Sequence, residues 1–121
     1  MNFFRTLTLF SLAILVSNCT NDSTNDLIDS TPISGNVTYL QNVKPIIDNK
    51  CLQCHGSVPT NGAPMSLVTY ENVKDAVLNL GLIDRIIRNE GDDLLMPQGG
   101  PKLLQNQIEA INLWQSQGLQ Q

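Results

Sequence analysis

Cys51, Leu52, Gln53, Cys54 and His55 put two thiols three positions apart with an imidazole immediately after them. One turn of chain can then offer both sulfurs to the vinyl-derived carbons of a single porphyrin, while the imidazole swings under the ring as an iron ligand. C-x-x-C-H is the attachment sequence for a c-type haem. A bare C-x-x-C would also suit a dithiol redox pair or half a zinc site. Zinc needs two more ligands, yet His55 is the single histidine and Cys19, the third cysteine, is far away in sequence. Thioredoxin-like chemistry wants a strand-helix context with parallel-sheet hydrophobics, and none is readable around these residues.

His55 supplies one axial ligand, so the second cannot be histidine. Two methionines beyond the N-terminal segment offer a soft thioether, Met65 and Met96. Met96 is followed by Pro97, Gln98, Gly99 and Gly100: proline fixes the backbone after the ligand, and the glycines let the loop pass closely by a ring. Met65 is only ten residues past His55 and would need a short chain to round the ring edge. Met96 is therefore the expected ligand, with Met65, or an iron left open or water-bound, as alternatives. Methionine also fills irregular cores without binding anything. Methionine ligation raises haem potential, and an apolar pocket favours the less charged ferrous centre.

The elements that must position these residues read as helices. Val43, Ile46, Ile47 and Cys51 repeat at three and four, a stripe leading into the attachment turn, with Pro45 suited to the first turn. Residues 56–62 have loop composition, and Leu67, Val68 and Tyr70 could cover a haem edge from extended backbone. Thr69 can cap a helix carrying Asn72 as its third residue, with Val73, Val77 and Leu80 on one side. Gly81 interrupts it before Leu82, Ile83, Ile86 and Ile87. Residues 89–93 form an acidic turn. Leu104, Ile108, Ile111 and Leu113 or Trp114 give the last helix its apolar face, with Pro101 at or before its start and Gly118 as its stop. No strand run, repeat or second domain competes, so the expected fold class is all-α, short helices packed around one covalent haem. A domain of about 85 residues, 37–121, buries little surface by itself. The haem would add a large apolar plate to its core.

Upstream lies an address. Residues 1–18 carry a short basic start, an apolar stretch over 7–16 too short for a permanent span, and small polar residues after it. Leu15 to Cys19 resembles a bacterial lipobox, although Asn18 stands where Gly or Ala is usual. That resemblance implies cleavage before Cys19 and lipidation of its sulfur and amine, enough chains for stable anchoring. An ordinary secretory peptide with Cys19 left free is the alternative. Residues 19–36, rich in Asn, Asp, Ser and Thr, read as a flexible tether. Two cysteines for haem and one for lipid leave no stray thiol, as suits the oxidising periplasmic or cell-envelope side of a bacterial membrane, inner or outer.

The formal net charge is −4, and loss of Arg5 with the leader makes it more negative. Lys44, Lys50, Lys74, Arg85, Arg88 and Lys102 are dispersed among acids, which gives nucleic acid no basic surface. They read mainly as a solvated face. Arg85, Arg88, Lys50 or Lys102 could instead pair with a haem propionate, and the sequence does not choose among them.

Taken together, the chain resembles a small monohaem class I cytochrome c of the bacterial lipoprotein type over residues 39–118. The likeness is carried by Val43 to Ile46, Cys51 to Gly56, Leu67 to Tyr70, Gly81 to Ile86, Met96 to Gly100 and Ile108 to Trp114. It implies thioether attachment at Cys51 and Cys54, proximal ligation by His55 and distal ligation by Met96. It also gives Pro97, Gly99 and Gly100 to the ligand loop, and Trp114 to an aromatic position packed against the N-terminal helix or the haem surroundings. Gln115 departs from the aliphatic residue common there. The first helix lacks the glycine and aromatic pattern of mitochondrial relatives. The implied protein is a monomeric, non-enzymatic electron carrier exchanging electrons with a redox protein donor and acceptor, or a subunit docked on a respiratory or dehydrogenase complex. A haem-based ligand or redox sensor, or a small peroxidase-like subunit, would follow from an open distal site.

Overall fold

In a computed structural model of the chain, the structure describes residues 33–121. The expected leader, Cys19 and the expected tether as far as residue 32 lie outside the described residues. The apolar stripe of Val43, Ile46 and Ile47 winds into α1 (Lys44–Lys50), entered through a π-helical turn over Tyr39–Val43. Thr38 starts that turn, its hydroxyl accepting from the Gln41 N–H at 3.3 Å while its own N–H donates to the Asn42 side-chain oxygen at 2.9 Å. Pro45 falls in the first turn of α1.

Thr69 and Asn72 cap α2 (Tyr70–Asn79) reciprocally: the Thr69 hydroxyl accepts from Asn72 N–H at 3.2 Å, and Asn72 Oδ1 accepts from Thr69 N–H at 3.3 Å. Val73, Ala76 and Val77 form its buried face. Gly81, at φ 72°, breaks the chain in the left-handed region open to glycine and starts α3 (Leu82–Ile87). After a run of turns and bends over residues 88–100 and an irregular stretch from Pro101, α4 (Gln105–Ser116) buries Ile108, Ala110, Ile111 and Trp114. Gly118 ends it with φ 91°, letting Leu119 N–H return to the Trp114 carbonyl at 2.8 Å.

These four short helices make a small all-α domain, the class expected from the sequence, and no strand occurs among the described residues. The π-helical turn packs on α1 and α4, while α3 packs on α2 and α4. Their common core centres on Trp114, fully buried, with Tyr39 and Tyr70 rings 5.7 and 6.0 Å from it. The C-terminal tail satisfies the polar atoms of this cluster: Trp114 Nε1 and Tyr39 N–H both donate to the Gln120 carbonyl, and Tyr70 O–H donates to the Leu119 carbonyl. Packing reaches back before residue 37, since Ile33 lies against the core and the Gln117 amide bonds both Gly35 O and Val37 N–H. Among the described residues no helix is long and apolar enough to cross a membrane.

Candidate functional site

The stripe that buries α1 delivers Cys51 to the end of the helix, where its N–H still bonds the Ile47 carbonyl at 2.9 Å. The turn then closes on itself, Cys54 and His55 N–H groups both bonding the Cys51 carbonyl at 3.1 and 2.9 Å. Both sulfurs and the imidazole thus come from one tight turn, as the spacing requires. Both thiols are free and half-buried. Burial pushes the Cys51 thiol up to about 11, so it holds its proton at neutral pH and is a poor dithiol nucleophile.

The following loop folds back under the ring of His55. Leu67 N–H bonds the His55 carbonyl at 2.8 Å, and the Met65 carbonyl lies 2.8 Å from His55 Nδ1. A carbonyl only accepts, so Nδ1 carries the proton, and in the neutral ring Nε2 presents its lone pair. His55 is 9% exposed, the one buried polar or charged side chain among the described residues. Burial and the bond to the Met65 carbonyl fix the tautomer and direction of the ring, which leaves Nε2 able to bind a metal ion.

The second segment is fastened to α3. Met96 N–H bonds the Arg85 carbonyl at 3.1 Å, Leu95 is buried, and Gly100 N–H bonds the Pro97 carbonyl at 3.3 Å around Gly99 at φ 71°. The Met96–Pro97 peptide is cis.

The turn and the loop meet in one cleft of about 550 Å³, within the 300–1,000 Å³ or so of small-molecule and cofactor sites. Cys51, Cys54, His55 and Met96 all line it, with Pro97, Gly99 and Gly100 along one wall. Leu67, Leu82, Ile86 and Leu103 supply apolar surface. Met65 lines it too, with its backbone carbonyl bonded to His55. Trp114 does not line the cleft and belongs to the aromatic core between α4 and the π-helical turn.

Sequence reasoning missed the Met65 carbonyl, which every residue type carries. The cleft-facing pair Leu82 and Ile86 was within reach as an i, i+4 repeat on α3. Among the described residues no group of three or more His, Cys, Asp and Glu side chains is placed to hold a metal ion. The donor set is instead one imidazole, one or two thioethers and two thiols beside a largely apolar wall. Set against protein-family models, curated proteins and solved structures, the chain matches none.

Proposed function

We propose that the cleft holds one covalent haem c and that the domain, with a cytochrome c-like fold, transfers single electrons between a redox protein donor and acceptor. Cys51 and Cys54 would hold the porphyrin as thioethers, His55 Nε2 would be one axial ligand and Met96 the other. The observation that carries this reading is the bond from His55 Nδ1 to the Met65 carbonyl, inside a cleft that both thiols and Met96 also line. When bound, the haem iron supplies reversible one-electron chemistry between its ferric and ferrous states.

The chain's own residues account for the rest. Met65 fixes the tautomer and orientation of His55 through its carbonyl, and Leu67, Leu82, Ile86 and Leu103 keep water from the cleft wall. The loop bearing Met96 is held at its backbone by Arg85, so the thioether has a fixed origin. A ligand held in that way suits persistent coordination in both oxidation states, as an electron carrier needs. A cytochrome c-like arrangement is supported by α1 leading straight into the attachment turn and by Trp114 of α4 packing against Tyr39. Lipidation at Cys19 and a place on the envelope side of a bacterial membrane rest on the sequence of residues 1–19.

Secretion of the full chain together with a c-type haem attachment system tests this. The expected product keeps its haem after denaturation, gives a low-spin spectrum in both oxidation states and binds carbon monoxide slowly when reduced. Absence of covalent haem would overturn the proposal, and rapid carbon monoxide binding by the native reduced protein would replace the closed carrier with an open-site sensor or peroxidase-like centre.

A further inference from the structure

Among the described residues two charged ones line the cleft, Lys50 and Arg85, and no Asp or Glu does. A cation on a mostly apolar wall calls for an anion, because burial weakens its hydration and strengthens a charge-assisted bond. The other basic side chains of the described residues are engaged elsewhere. Lys44 pairs with Asp48 at 2.6 Å, and Arg88 pairs with Asp84 at 2.9 Å and Asp92 at 3.0 Å. Lys102 donates to the Ile87 carbonyl at 3.0 Å, and Lys74 sits 5.6 Å from the centre of the Tyr70 ring. Asp92 is close enough to Arg85 to feel its charge. Its two oxygens are nevertheless taken by Arg88 and by the Leu94 N–H.

We propose that Arg85 anchors the carboxylates of the group held in the cleft, which, on the haem reading above, are the propionates. Arg85 is half-buried on α3 beside Ile86, whereas Lys50 is exposed at the end of α1. Its planar fork of donors matches a carboxylate with two parallel bonds, which an ammonium cannot do. Arg85 has a second role at the same place, since its carbonyl holds the Met96 N–H. One residue thereby fixes the register of the ligand loop with its backbone and the carboxylate edge of the cofactor with its side chain. Substituting the side chain leaves the backbone bond available, so the two roles separate by experiment.

The test uses the holoprotein as wild type, Arg85→Gln, Arg85→Lys, Lys50→Gln and Arg88→Gln. Resonance Raman spectra report hydrogen bonding to the propionates through their bending band, and a redox titration reports the midpoint potential. Arg85→Gln is expected to shift the band and lower the midpoint, because a cation that favoured the less charged ferrous iron is gone, while the methionine-to-iron band persists. Arg85→Lys should shift the band and keep most of the midpoint, and Arg88→Gln should leave both as in wild type. An unmoved band in Arg85→Gln, or a shift confined to Lys50→Gln, overturns the assignment while leaving the haem reading intact. Equal changes in Arg85→Gln and Arg88→Gln also overturn it, since they would reflect only long-range charge. A wild-type protein that takes up no haem overturns the haem reading itself.

Discussion

His55 owes its orientation to a carbonyl, and this separates the two cleft methionines. Met65 bonds the imidazole through its backbone, so Met65→Leu keeps that bond and is expected to leave the axial ligands unchanged. On the proposed haem reading, Met96→Ala removes the thioether and should yield a reduced protein that binds carbon monoxide rapidly and has lost the methionine-to-iron band. Optical spectra of both variants check this, and an unchanged Met96→Ala spectrum would reject Met96 as ligand. Cys51 gives the haem-free chain a pH signature. Burial raises its thiol from the ordinary value of 9.0 to about 11, so the folded chain favours the protonated form. That contribution is fully present below pH 9.0 and is lost as pH rises toward about 11. The urea midpoint of the haem-free chain should therefore fall across that window, and fall less in Cys51→Val. At this scale the sequence singled out Cys51, Cys54, His55 and Met96, whose candidate chemistry sits in their side chains and which the structure brings to one cleft. It was silent on the Met65 carbonyl and on which basic residue faces the cleft, because backbone bonds and facing depend on how the loops return.

The helices are legible where their signals are local. Thr69 and Asn72 are three positions apart, and Gly81 needs only its own φ, so the start of α2 and the break before α3 could be read directly. Removing the cap with Thr69→Ala is expected to cost about 1 kcal/mol, measured as a lower urea midpoint, and on the proposed haem reading to leave the haem spectrum unchanged, since Thr69 does not line the cleft. The π-helical turn at Tyr39–Val43 was not foreseen. It depends on Thr38 and Asn42 trading side-chain bonds with backbone, a local arrangement that the apolar spacing from Val43 onward does not encode. Pro101 precedes α4 by four residues rather than starting it, because Leu104 is extended and its N–H is met by the Gln107 side chain at 3.1 Å.

Across the whole molecule, stability gathers where the two ends of the described chain meet. Trp114 touches Tyr39 and Tyr70 and bonds the Gln120 carbonyl, so Trp114→Ala should cost about 3–5 kcal/mol. In a domain this small that loss should abolish a cooperative thermal transition in the haem-free chain, which calorimetry would show. Gln117 grips Gly35 and Val37 across 82 and 80 residues, a pairing no local pattern announces. That grip also sets where the described chain enters the domain. Ile33, Gly35, Val37 and Gln117 line no part of the cleft. A pull on the chain ahead of residue 33 is therefore borne first by residues that the cleft does not use.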